Sequence, residues 1–115
     1  MTESILDTIK LSIGIEPEDT DFDVEIKMHI NTAFFTLNQL GVGPANAYSI
    51  KDNENTWTEF IGDRLDLEAV KTYVYLKVKL LFETSSMSSG VIAAYNNQID
   101  ELGWRLKEQA EHPEE

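Results

Sequence analysis

The side chains that could perform chemistry are few in this chain, and their spacing does not suit the known sites. Asp19, Asp21 and Asp23 match the first three ligand positions of a calcium-binding helix-loop-helix. Val24 stands where that loop requires glycine, and Ile30 stands where it requires a bidentate glutamate. We therefore expect no calcium site.

The other potential ligands and nucleophiles are isolated from one another. His29 and His112 are the only histidines, and neither has the neighbours of a helical metal motif. The chain has no cysteine, and its serines and threonines fall mainly at predicted helix caps and in one linker. Gly41, Gly43 and Pro44 form a turn without the lysine of a phosphate-binding loop. The sequence therefore predicts no catalytic residue, no cofactor and no metal.

The charge of the chain limits the partners that it can have. Nine basic residues stand against 21 acidic ones, giving a net charge of −12, which opposes binding to nucleic-acid phosphates or anionic lipid. The ten residues 16–25 contain six acids and no base, and we interpret them as a solvated loop and helix start. Met1–Ile13 does not resemble a secretory signal, and no 18-residue apolar run could span a bilayer.

The spacing of apolar residues predicts helices along most of the chain. Ser4–Ile13 is a short amphipathic helix, and Asp21–Leu40 is a longer one that Thr20 or Asp21 caps and Gly41 ends. After an irregular loop, Thr56 and Glu59 form a capping box that opens a short helix ending at Gly62. The sequence therefore predicts three helices before residue 63.

The second half of the chain carries the most apolar segment and a long C-terminal helix. Asp66–Phe82 shows both helical and alternating periods, and its length favours a central, largely buried helix over a strand. The stretch 84–90 is a polar linker in which Ser88 or Ser89 caps a long C-terminal helix with apolar residues at three-four spacing. The predicted fold is all-α, a small bundle of four to five helices. We expect one helical domain at 1–107 and an acidic, flexible tail at 108–115.

One aromatic residue falls outside the predicted apolar seam of the last helix. Trp104 lies instead on a face shared with acidic and amide side chains. Two interpretations are open: it packs under the loop 41–55 of its own chain, or it contacts another protein. The second interpretation gives candidate protein-interface residues on this helix: Trp104, Arg105, Lys107 and Glu108. Tyr48 joins them from the loop 41–55, whose few apolar residues either fix the loop to its own chain or meet a partner.

The phrases VKTYVYLKVKLLF and QIDELGWRL, in the order of elements given above, resemble the small head-to-tail connector proteins of tailed bacteriophages. The likeness extends over nearly the whole chain. One departure is the linker Glu83–Gly90, where relatives more often have a proline-containing turn. Both phrases are packing motifs, so they indicate a family without marking an active site.

The resemblance implies a helical bundle that assembles, as about twelve copies, into a ring beneath the capsid portal. Its implied partners are further copies of itself, the portal protein and a tail-completion or stopper protein, with DNA only passing through the channel. It implies a place at the head-tail junction of the virion, assembly in the bacterial cytoplasm, and no membrane or cofactor. The alternative is an acidic regulatory protein that binds or mimics DNA toward a host factor, which the charge of −12 motivates.

Overall fold

Five helices make up most of the protein, in a computed structural model that describes residues 4–42, 48–61 and 67–111. They are α1 (Ile5–Ser12), α2 (Asp23–Gln39), α3 (Trp57–Ile61), α4 (Leu67–Glu83) and α5 (Ser89–Glu111), with a 3-10 turn at Thr84–Ser86. The described ranges contain no β-strand. The predicted all-α bundle with a long C-terminal helix is confirmed.

Helix α4 lies at the centre of the bundle. It packs against α1, α2 and α5, and it buries Val70, Val74 and Val78 along one stripe. The helical interpretation of this segment is therefore confirmed over the strand alternative. Valines at four-residue spacing share one side of a helix, so all three side chains can be buried together.

Helix α1 begins and ends as its sequence predicts. The hydroxyl of Ser4 accepts a 3.2 Å hydrogen bond from the amide of Asp7, which satisfies one free donor of the first turn. Gly14, just beyond the helix, has a φ of +88°, a conformation that glycine adopts without strain. The helix buries Ile5, Leu6 and Ile9 against the rest of the core.

The start of α2 differs from the prediction. The residue before the helix is Phe22, and no side chain caps it, so the capping role predicted for Thr20 or Asp21 is wrong. The physical reason lies one turn upstream, where Asp19 Oδ1 accepts the amide of Asp21 at 3.1 Å and forms a local turn. Asp23 and Glu25 then occupy the first turn, where the helix dipole favours negative charge.

The end of α2 follows the glycine signal. Gly41 has a φ of +86°, its amide donates to Asn38 O at 3.0 Å, and the amide of Val42 donates to Leu37 O at 2.9 Å. This pair of bonds is a Schellman motif, which satisfies the last carbonyls of the helix.

The capping box of α3 is confirmed. The amide of Glu59 donates to the Thr56 hydroxyl at 3.3 Å, and the amide of Thr56 donates to Glu59 Oε1 at 3.3 Å. Trp57 and Phe60 are both buried in the core. The predicted end of this helix at Gly62 lies outside the described residues.

Helix α5 begins after the linker, where the amide of Val91 donates to the Ser88 hydroxyl at 3.2 Å. Ile99 and Leu106 are its buried contacts, and Gly103 between them is also buried. The helix extends to Glu111, so the first residues of the predicted 108–115 tail are helical. Residues 112–115 lie outside the described part of the chain.

Candidate protein interface

Trp104 is an exposed aromatic residue on the outer face of α5. Its side chain is 63% exposed, whereas Ile99 and Leu106, on the other side of the same helix, are buried. At this exposure the indole is not packed beneath the described part of the loop 41–55. Large exposed aromatic residues are characteristic of protein interfaces, so the contact with another protein stays the prediction.

The surroundings of Trp104 form a shallow groove of about 400 Å³ that includes Ala69 of α4 and Leu102 of α5. Arg105 also lines it, but both its Nε and Nη2 donate to Glu101 Oε2, at 3.1 and 2.8 Å. This pairing one turn apart on the helix surface neutralises the arginine within its own chain. A partner at this groove would therefore meet the indole ring before it meets free positive charge.

The remaining residues of the candidate set divide between two places. Lys107 is exposed on α5, and Glu108 is half-buried and lines the groove beside Trp104. Tyr48 instead is partly buried against the edge of the core, where it packs edge-on to Phe34 of α2 with ring centroids 5.5 Å apart. The structure therefore brings the α5 residues together and gives Tyr48 contacts within its own fold. The interface role of all five stays a prediction.

Tyr48 is held by polar contacts as well as by ring packing. Its hydroxyl donates a 2.9 Å hydrogen bond to Glu59 Oε1, which also accepts from Asn55 Nδ2 at 3.1 Å. Burial, reinforced by the hydrogen bond to Glu59, raises the pKa of Tyr48 to about 12. The hydrogen bonds from Asn55, Tyr48 and Thr56 lower the pKa of Glu59. These contacts fasten the loop after α2 to the start of α3.

A second apolar surface, which sequence reasoning missed, lies on α2. Val24, Met28 and Phe35 are 70%, 64% and 57% exposed, and they lie on the side of α2 opposite to its buried residues Ile30 and Leu37. We name these three residues the α2 stripe. Their spacing of four and seven was visible in the sequence, but the stronger buried stripe of the same helix concealed it.

A shallow, open depression lies between Met28 and Phe35 of the α2 stripe. Met28 and Phe35, together with Asn31 and Thr32, line about 380 Å³ of open space, which we call the α2 groove. Exposed apolar residues that gather on one side of a helix mark surfaces that other proteins cover. The α2 groove and Trp104 are thus two apolar features on two different helices.

The acidic run at residues 16–25 helps to hold the fold together as well as giving the surface negative charge. Asp23 Oδ1 lies 2.8 Å from Nζ of Lys10, whose side chain is only 1% exposed. His29 Nε2 lies 3.4 Å from Glu25 Oε2 on the same helix.

Within the described residues, no group of three or more histidine, cysteine, aspartate or glutamate side chains could hold a metal ion. His112 lies outside them.

No helix in the described part of the chain is long and apolar enough to cross a membrane.

Comparison with known families gives one finding that covers almost the whole chain: a family model described as phage connector protein matches residues 5–113. Searches of the curated proteins and of the solved structures found no match to this chain.

Proposed function

Because the chain belongs to the phage connector protein family, we propose that it is the head-to-tail connector of a tailed phage, assembling as a ring beneath the capsid portal. In this position it forms part of the channel through which the genome passes. Family membership makes the chain a structural component of the virion, a class of protein that acts by assembly.

The observation that carries the proposal is the match of the connector family over 5–113, which includes all five helices. The surface supports it independently. Trp104 and the α2 stripe expose large apolar side chains on a chain whose net charge of −12 would otherwise keep copies apart. Such a surface suits a protein that becomes buried in an assembly.

The charge has a role in the proposed channel. A ring of about twelve copies, each carrying −12, would present a negative lumen that lets DNA slide instead of adhering. Screening over roughly 8 Å at physiological salt limits the repulsion between neighbouring subunits.

The proposed partners are the portal protein on one side of the ring and a stopper or tail-completion protein on the other. Assembly takes place in the bacterial cytoplasm before the tail is attached.

Electron microscopy of the purified chain mixed with the purified portal of its own phage tests the proposal. We expect an additional ring of density on the portal, and none on the portal of an unrelated phage. Absence of the ring, combined with capture of one stoichiometric nucleic-acid-binding protein from host lysate, would overturn the proposal in favour of the acidic regulatory alternative.

A further inference from the structure

The groove beside Trp104 contains a carboxylate without a partner. Glu108 lines this groove and is half-buried, yet it makes no ion pair or hydrogen bond with any described residue. We propose that the groove receives an arginine side chain of another protein, with the guanidinium group stacked on the indole of Trp104 and paired with Glu108. The inference goes beyond the proposed function, because it names the chemistry of a contact that depends on neither the ring nor the channel.

The rest of the groove is largely apolar. Ala69 of α4 lines it together with Leu102 and Leu106 of α5, and the exposed ring of Trp104 adds a flat aromatic surface. The volume of about 400 Å³ falls in the size class of clefts that hold small ligands. An arginine suits such a space, because its aliphatic stem can lie along apolar walls while its charged end reaches a carboxylate.

The unpaired carboxylate of Glu108 determines which occupants the groove accepts. An apolar occupant would remove water from a charge that has no protein partner, which is costly. An acidic occupant would add repulsion between like charges. A cationic occupant supplies the missing partner, so the charge of the groove selects it.

The basic residues of α5 do not fill this role within the chain. Arg105 lines the same groove, but its Nε and Nη2 donate to Glu101 Oε2 at 3.1 and 2.8 Å. Lys107 is exposed and is not among the residues that line the groove. In the described part of the chain, Glu108 is therefore the carboxylate of this groove that a partner can neutralise.

Trp104 favours arginine over lysine as the cationic side chain. A planar guanidinium group can lie flat on an exposed indole while its N–H groups donate to a carboxylate, whereas an ammonium group is a more strongly hydrated point charge. Trp104 and Glu108 are four residues apart on α5, so their side chains are neighbours on the helix surface. One guanidinium group can therefore contact both.

The charge of the chain favours a different protein over a second copy. The net charge is −12, and Asp100, Glu108 and Glu111 share the outer side of α5 with Trp104. A second copy placed against this side would bring like charges together, whereas a basic segment of another protein would be attracted to it. The occupant is therefore a basic segment that presents an arginine beside apolar side chains.

Titration of the whole chain with a defined peptide tests the site. The probe is an acetylated and amidated tripeptide with arginine between two leucines, and its reference has neutral citrulline in place of arginine. Nuclear magnetic resonance follows the indole N–H of Trp104 and the backbone amides of residues 105–109. We expect the arginine peptide to bind about fivefold more tightly than the citrulline peptide. The buried indole of Trp57 should not respond and serves as the internal reference.

Three variants assign the binding to the two residues of the site. Glu108→Gln should remove the preference for arginine over citrulline, and Trp104→Leu should weaken binding of the arginine peptide several-fold. Asp100→Asn is the matched control, because Asp100 is an exposed acid four residues before Trp104 that does not line the groove. It should bind the arginine peptide like the wild-type chain. Circular dichroism should show equal helicity for all three variants.

Several outcomes would overturn the site. Equal losses in Asp100→Asn and Glu108→Gln would show diffuse attraction of a cation to an acidic helix. Equal binding of the two peptides, or no saturable binding of the arginine peptide, would remove the role of the guanidinium group. Sedimentation that shows self-association of the wild-type chain, and its loss in Glu108→Gln, would assign the groove to a second copy instead.

The two proposals fail separately. A ring on the portal without a preference for arginine would leave the connector function standing and remove this contact. A preference for arginine without density on the portal would do the reverse.

Discussion

The ammonium group of Lys10 lies 2.8 Å from Oδ1 of Asp23, joining α1 to the first turn of α2 in the most buried charged contact of the described residues. The same Nζ donates a 2.9 Å hydrogen bond to the carbonyl of Pro17, in the acidic connection between the two helices. A single lysine therefore holds three segments whose own charges are almost all negative. Part of the acidic run is consequently structural, because the carboxylate of Asp23 balances a cation that the core encloses.

Lys10→Ala should lower the free energy of unfolding by about 2 to 4 kcal/mol. Removing one partner of a buried pair leaves the other uncompensated, and the partial exposure of Asp23 places the loss toward the lower end of the range for such pairs. Urea denaturation measures it. Lys51→Ala, on the exposed surface, should change stability by less than about 0.5 kcal/mol. Equal effects of the two substitutions would contradict a structural role for Lys10.

Gly103→Ala should stabilise the protein. An added Cβ would meet Leu40 Cδ1 and Tyr73 Cε2 at 3.4 Å, which is ordinary contact, and alanine is preferred over glycine within a helix by about 0.5 to 1 kcal/mol. Gly103→Leu should instead destabilise by about 1 to 3 kcal/mol, because the larger side chain cannot fit between α4 and the end of α2. Thermal unfolding of both variants measures these effects. A lower melting temperature for Gly103→Ala would show that Leu40 and Tyr73 cannot move enough to admit even one methyl group.

Asn31→Ala should loosen the loop that follows α2. Both polar atoms of this side chain bond the backbone of Ile50, whose side chain is buried, so the substitution leaves a peptide group without partners. The expected loss is about 1 to 3 kcal/mol, with faster amide hydrogen exchange at Ile50. Asn97→Ala, on the exposed side of α5, serves as the control and should have little effect. Unchanged exchange at Ile50 in the Asn31 variant would argue against the loop being held from this side.

Tyr48 should make the stability of the protein depend on alkaline pH. The folded state raises the pKa of Tyr48 from 10.0 to about 12, so it favours the protonated phenol. The stabilisation is therefore complete below pH 10 and is lost as the pH rises from 10 to about 12. Plotted against pH across this interval, the free energy of unfolding from denaturation experiments should fall more steeply for the wild-type chain than for Tyr48→Phe, whose side chain cannot ionise. Parallel curves would mean that the phenol ionises equally in the folded and unfolded states.

The periodic features of the fold could be predicted from the sequence, and the pairwise ones could not. The four-residue spacing in α1 and α4, the Thr56–Glu59 box and the glycine after α2 all encode local geometry, which depends on neighbours within a few residues. The pairing of Lys10 with Asp23 depends instead on how two helices meet, and a lysine beside an apolar stripe gives no sign of its partner.

The candidate interface shows the same division between local and tertiary information. Trp104 could be found because it departs from the seam of its own helix, but its exposure depends on how the rest of the chain folds around α5. The α2 stripe was hidden because both sides of that helix are apolar, and only the packing against α4 distinguishes the covered side from the open one.

Trp104→Ala and Ile99→Ala should separate an assembly residue from a core residue on the same helix. Trp104 is mostly exposed, so its replacement should leave the melting curve of the isolated chain within about 0.5 kcal/mol of the wild type. Ile99 is 4% exposed, and its truncation should cost about 2 to 5 kcal/mol because it leaves a cavity in the core. Circular dichroism melts measure both. If Trp104→Ala unfolds the chain as readily as Ile99→Ala does, the indole stabilises the monomer, and loss of assembly in that variant would then report misfolding instead of a lost contact.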